Sequence, residues 1–271
     1  MALDPSASEL TIGPTTQHTH TVIFLHGRGD TAPSFRRWFD HWRDTKNRTL
    51  MQAFPSYKWV FPTASVNSQS MSQWFDIWDT RDFSLREELQ AEGLRPSVTR
   101  IRALLGREVT AVDGDWKRII VMGISQGAAT AVHTILNTSL VPAGEGGPLS
   151  RGLGAFIGFS CRMPFPGRSL GETRKVLGVQ YVHNGDNNTD NDEAEVLRNT
   201  PVLLEHCVDD PTVRVEDGRI LRDTLRRFGA NATMVEYPEG GHWFHGPDGL
   251  DDVIAFLSKH TAAATSAKTT A

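Results

Sequence analysis

Cysteine is scarce: 271 residues contain two, Cys161 and Cys207. That excludes a disulfide framework and favours a reducing compartment, so the chain is expected in the cytoplasm. The opening stretch, MALDPSASELTIGPTTQHT, has neither a basic leader nor an apolar core, which argues against a secretory signal. No apolar run approaches the roughly 20 residues that cross a bilayer. Charge of one sign is lacking too. The formal net charge is −4, with Lys and Arg scattered rather than striped, so no nucleic-acid partner is expected. What the chain does have is apolar mass. Apolar residues make up 39%, with 13 Phe and 7 Trp, enough for one sizeable core.

Short apolar runs recur: THTVIFLHG (19–27), KWVFPTA (58–64), KRIIVMG (117–123), LGAFIGFS (153–160), PVLLEHC (201–207) and ATMVEYP (232–238). Several are apolar on consecutive residues, as strands covered on both faces are. Helical spacing fills the gaps. One helix is expected from Pro96, with Val98, Ile101, Leu104 and Leu105 on one stripe, and another over 126–137. A third near 216–228 places Ile220, Leu221, Leu225 and Phe228 on a shared face, and the last, over 250–260, turns Val253, Ile254 and Leu257 inward. The alternation predicts one α/β domain over 19–260, a central mainly parallel sheet with helices on both faces. Residues 1–18 read as a flexible lead-in and 261–271 as a disordered tail. Two stretches break the rhythm. Residues 64–95 gather Trp74, Phe75 and Trp78 among polar residues, either covering a pocket or folding onto a sheet edge. Residues 183–200 are acidic and turn-rich and read as a solvated loop.

Within KRIIVMGISQGAAT, Gly123 and Gly127 flank Ser125 at the end of an apolar run. A nucleophile elbow needs that pattern, because side chains two residues either side of the serine collide across a tight strand-to-helix turn. GFSCR (158–162) looks similar, but Arg162 stands where the second glycine would be. A serine hydroxyl is a weak nucleophile, so it needs a base and the base needs an orienting acid. In such sheets the order is Ser, acid, His, each at a strand end. Asp209 and Asp210 follow the 201–207 run, and spacing does not choose between them. His242 follows the last run in a glycine-rich loop. Its rival His245 reads equally as a surface residue or a supporting donor, and His206 and His133 read as structural. Two amides should meet the growing oxyanion: that of Gln126, and one from FLHGRGD (24–30). His18 and His20 lack convergent acidic or cysteine partners, so no metal is expected. HGRGD lacks the spacing of a phosphate-binding loop, and no cofactor is expected either.

VIFLHGRGD, SQWFDIWD, GISQGAAT, IGFSCRMP, HCVDDPTV and YPEGGHWF stand in an order that resembles the phospholipase/carboxylesterase family, which includes acyl-protein thioesterases. The resemblance covers roughly 20–260. It implies the α/β-hydrolase fold and cleavage of acyl thioesters or carboxylic esters, above all palmitoyl-protein thioesters. Acylated proteins or small ester and lipid molecules would be the substrates, with transient membrane contact. It maps the acid onto Asp210, before Pro211-Thr212-Val213, the base onto His242, and the oxyanion amides onto Gln126 and Arg28. Arg28 stands where the family usually has leucine, either touching an anionic leaving group or turned outward. Cys207 replaces a usual glycine, Val208 a usual acid, and Ala128-Ala129 follow where a third glycine is common. Met71, Trp74 and Phe75 are candidates for an acyl pocket, where each buried methylene contributes about 0.8 kcal/mol. Short-chain carboxylesterase and lysophospholipase activities are the alternatives, and an inactive hydrolase fold acting as a binding module is the alternative of another class.

Overall fold

The consecutive apolar runs become strands that face packed side chains on both sides. In the computed structural model, which describes residues 9–66, 70–138, 152–179 and 195–262, seven strands form one sheet. They are β1 (Glu9–Ile12), β2 (His20–Leu25), β3 (Tyr57–Pro62), β4 (Ile119–Ile124), β5 (Ala155–Phe159), β6 (Val202–Cys207) and β7 (Ala232–Tyr237). Their spatial order is β1-β3-β2-β4-β5-β6-β7. Only β1, on β3, pairs antiparallel. β2, β4, β5 and β6 are buried at every position, as parallel strands between two helical layers should be.

The helices are α1 (Ala32–Phe39), α2 (Leu50–Ala53), α3 (Gln90–Thr110), α4 (Gln126–Leu136), α5 (Leu170–Leu177), α6 (Glu195–Arg198), α7 (Val215–Arg227) and α8 (Asp248–Thr261). Alternate residues of β2 show the two layers. Ile23 and Leu25 pack with α3, α4 and α7, whereas Val22 and Phe24 pack with Phe35 and Phe39 of α1 and with Leu250, Val253 and Leu257 of α8. The mainly parallel sheet covered on both faces is the expected one.

Several expectations need correction. The lead-in 1–18 contains β1, whose Leu10 and Ile12 pack against the core while the ladder on β3 holds the backbone. Pro96 does not begin α3 but lies inside it, because Leu94, four residues before Val98, carries the buried stripe further back. Ile220 is 47% exposed rather than inward, one residue off the buried Leu221. In the 183–200 stretch, 195–198 form α6 with Val196 and Leu197 buried, so that end is core rather than solvated loop. Residues 183–194 lie outside the described residues, as do 263–271 of the tail, while Thr261 is a buried helical residue.

β4 runs straight into α4, and Ser125 takes the turn at φ 54°, ψ −122°, a strained conformation for a residue with a side chain. The flanking glycines make it possible. A Cβ at Gly123 would stand 2.6 Å from Ala128 Cα, and one at Gly127 would stand 2.3 Å from the His26 carbonyl oxygen. The helix therefore sits directly on the ends of β2 and β4.

Two stability predictions come from this framework. Glu205 on β6 is buried, and burial, reinforced by the nearby Asp252 charge, raises its pKa well above the ordinary 4.5. A carboxyl with a raised folded pKa contributes fully below the unfolded value and loses that contribution as pH climbs toward the folded one. E205Q keeps a neutral group there, so its melting temperature should exceed the parent's by about 3 °C or more at pH 8 and by much less at pH 5. Equal differences at both pH values would rule out a protonated Glu205. G127A should cost about 3 kcal/mol or more in denaturant melts, because its Cβ meets backbone rather than a movable side chain. A loss under about 1 kcal/mol would mean the elbow can open without penalty.

Candidate active site

Three strand ends bring three distant side chains together. Ser125 follows β4, Asp210 follows β6 and His242 follows β7. The Ser125 hydroxyl lies 2.9 Å from His242 Nε2, and His242 Nδ1 lies 2.7 Å from Asp210 Oδ2. With the carboxyl ionised, Nδ1–H donates to Asp210, and Nε2 is left to accept from the serine. Asp210 is built to stay ionised. Burial raises its pKa, but hydrogen bonds from His206, His242 and the Val213 amide outweigh burial and hold it well below the carboxylate range. Its Oδ1 accepts from the amides of Thr212 at 2.8 Å and Val213 at 2.9 Å. His206 Nε2 stands 2.8 Å from the Val213 carbonyl and 3.3 Å from Asp210 Oδ2.

The structure separates the two aspartates that spacing left equal. Asp209 faces away and accepts from the amides of Gly240 at 3.2 Å and Gly241 at 2.8 Å, tying down the loop that carries His242. Gly240 has φ 136°, and a Cβ there would stand 2.6 Å from Cys207 Sγ. The thiol thus fills the space under that loop, and burial, with Asp209 and Asp210 nearby, pushes its pKa up to about 11. His245 stacks on Tyr237 at 4.1 Å, and His133 is buried with Nε2 3.2 Å from the Pro164 carbonyl, so neither meets Ser125.

The loop after β2 is fixed by His26, whose role the sequence reading missed. Its Nδ1 lies 2.7 Å from the Gly27 carbonyl, while Nε2 accepts from the Ala64 amide at 3.0 Å. Burial lowers its pKa and keeps the ring neutral, as that donor–acceptor pattern requires. In a trans peptide, engaging the Gly27 carbonyl turns the Arg28 N–H to the opposite side. Arg28 and Gln126 both border the cavity at Ser125. The signal was a histidine directly before the loop glycines. The Arg28 guanidinium crosses to Gln73 Oε1 at 2.9 Å.

Phe75 lines that cavity, but Trp74 and Met71 are not among its walls. Trp74 is buried as scaffold instead: its Nε1 donates to the His26 carbonyl at 2.8 Å and its amide to Gln126 Oε1 at 2.9 Å. The chamber measures 260 Å³, with Ile77, Phe83, Arg162 and Trp243 among walls that the sequence reading did not identify. Nothing in their spacing marks them, since they come from irregular segments and a loop. Among the described residues no group of three or more His, Cys, Asp or Glu is placed to hold a metal ion, and no helix is long and apolar enough to cross a membrane.

Comparison with known proteins bears on the fold and the family. The model of the phospholipase/carboxylesterase family matches residues 7–182. Acyl-protein thioesterase 1 of Gibberella zeae is 30% identical over 253 residues, 90% of this chain and 92% of that protein. A probable carboxylesterase of Arabidopsis thaliana is 26% identical over 227 residues, 82% of this chain and 71% of that one. Among solved structures, Zea mays acyl-protein thioesterase 2 superposes with TM-score 0.68 at 23% identity, covering 94% of this chain and 99% of that one. The Bacillus cereus carboxylesterase does so with TM-score 0.62 at 14% identity, covering 95% and 96%. The chain therefore has the α/β-hydrolase fold and belongs to the phospholipase/carboxylesterase family of hydrolases.

Proposed function

We propose that this protein is a serine hydrolase that cleaves acyl thioesters and carboxylic esters, with acylated proteins as its substrates, in the manner of a palmitoyl-protein thioesterase. The unbroken hydrogen-bonded chain from Ser125 through His242 to Asp210 carries the reading. His242 takes the Ser125 proton as the hydroxyl attacks the acyl carbon, and the buried Asp210 carboxylate stabilises the imidazolium that forms. The amides of Arg28 and Gln126 are the proposed oxyanion donors, the second at a helix N-terminus where negative charge is favoured. Protonated His242 then gives its proton to the departing thiol or alcohol, and water, activated by the same base, releases the acid. All three residues belong to what we read as one hydrolase domain over 19–260. Both cysteines are free and buried, which suits the reducing cytoplasm. Thioesterase relatives with similar chain coverage support the substrate class.

A second reading, a short-chain carboxylesterase, is favoured by one observation. The chamber at Ser125 holds 260 Å³, below the roughly 300–1,000 Å³ usual for ligand sites. A long chain would have to leave it for a neighbouring cavity of 800 Å³ that shares Phe83 and Arg162 as walls.

The deciding assay is kcat/KM over p-nitrophenyl esters from C2 to C16, beside a palmitoyl-thioester peptide, with S125A as blank. A rise with chain length and fast thioester cleavage is the expected result. A peak at C2–C4 with slow thioester cleavage would move the assignment to small esters, and S125A turnover equal to the parent's would end both readings. In the same assay D210N should lose about 10³–10⁴ in kcat, since the imidazole loses its orienting partner, while D209N should stay within about tenfold, having lost loop contacts alone. The reverse order would hand the acid's role to Asp209.

A further inference from the structure

Arg162 plays no part in the acyl transfer described above, yet it stands beside it. Its side chain is 9% exposed, and the residue borders both the chamber at Ser125 and a neighbouring cavity of 800 Å³. The two spaces share Thr80, Phe83, Arg162 and Thr212 as walls, so they meet at this residue.

A buried guanidinium needs acceptors for five N–H groups. Among the described residues, Nη2 donates to Gln90 Oε1 at 2.5 Å, and the Phe83 ring centroid lies 4.2 Å from Cζ. Glu87 Oε1 is 3.7 Å from Nη1, beyond hydrogen-bond range, and already accepts from the Phe165 amide at 2.8 Å. Asp217, the other carboxylate acting on it, borders the larger cavity. Burial lowers the pKa of Arg162, with Glu87, Cys161 and Asp217 opposing. Among the described residues the cation is thus balanced by carboxylates at a distance and given one hydrogen bond, and the residue borders the chamber.

The order of chemistry says which half of a substrate meets it. His242 has to reach the leaving group to protonate it, so that group lies toward His242 and the exposed Trp243. The acyl group takes the remaining walls, which include Phe75, Ile77, Phe83 and Arg162. We propose that Arg162 is a subsite for a carboxylate at the far end of a short acyl group, so that among short acyl groups monoesters or monothioesters of dicarboxylic acids are preferred, while longer chains pass it into the larger cavity. A terminal carboxylate offers the guanidinium two acceptors in a geometry that suits its fork. A methyl end of the same length instead strips water from a poorly coordinated cation and returns no hydrogen bond. This proposal rests on Ser125 being the nucleophile.

The test compares p-nitrophenyl monoesters of succinate, glutarate and adipate with the methyl-ended esters of equal carbon number, in the parent, R162K and R162M. Labelling of Ser125 by a fluorophosphonate is followed in parallel. At the best length, kcat/KM of the parent should favour the carboxylate-ended ester at least tenfold. The ratio should fall in R162K and drop to one or below in R162M. A purely structural Arg162 would slow both esters together and leave the ratio at the parent's value, which overturns the proposal. So does a parent that prefers the methyl-ended ester, a result that needs no folded variant. No turnover in either series together with no labelling of Ser125 would overturn the nucleophile assignment itself and this subsite with it. Labelling with the wrong preference would overturn the subsite alone.

Discussion

The His26 carbonyl oxygen is the point on which the site is assembled. It accepts from Trp74 Nε1 at 2.8 Å, and the bare Cα of Gly127 lies against it so closely that an added Cβ would stand 2.3 Å away. One backbone atom thus fixes the distance between the end of β2, the start of α4 and the segment around Trp74. The His26 ring, on the same residue, orients the next peptide through the Gly27 carbonyl. The strain at Ser125 persists because these contacts leave the turn no other path. Moving any one of the three pieces disturbs the proposed nucleophile and its two proposed oxyanion amides together.

Burial alone does not decide charge in this protein. Glu205 and Asp210 lie five residues apart at the end of β6, and both are buried. Asp210 is met by two backbone amides and two histidines, and its pKa falls. Among the described residues neither carboxyl oxygen of Glu205 has a hydrogen-bond partner. Its carboxyl faces Asp252 and a Tyr237 hydroxyl that donates to Asp252 instead, and its pKa rises. The difference is in the number of donors aimed at each group, which outweighs a desolvation cost common to both. Asp209 adds a third case: being exposed, it acts through loop amides rather than through the imidazole.

Much of the framework was legible in the sequence. β2, β4, β5 and β6 stand out because strands buried on both faces leave uninterrupted apolar runs, and the elbow stands out because its geometry demands glycine at two positions. Features set by tertiary contact were not legible. Four residues of β1 carry too little pattern to register without β3 beside them. The start of α3 was misread at Pro96, where buried Leu94 and its neighbours outweigh the local preference of proline. Asp209 and Asp210 differ by one residue and point to different partners, a distinction that only the backbone around Thr212 and Val213 makes. Trp74 and Phe75 divide in the same way, one into scaffold and the other into the chamber wall.

That division separates what the fold constrains strongly from what it leaves open. Ser125, Asp210 and His242 sit at the ends of strands whose registers are locked by ladder bonds and by backbone contacts that tolerate no side chain. The chamber is walled largely by side chains from irregular segments, Phe75, Ile77 and Phe83 on one and Arg162 on another, where a substitution changes shape and charge without moving the sheet. Reaction class is therefore readable from the frame, whereas substrate choice has to be read from the walls. A wall of aliphatic groups would accept any chain that fits. A wall holding a guanidinium with, among the described residues, one hydrogen bond would disfavour short chain ends that cannot coordinate it, because the cost of a poorly satisfied cation falls on the bound state. On our proposal the charge at Arg162, more than the width of the chamber, selects among the short acyl groups that settle beside Ser125.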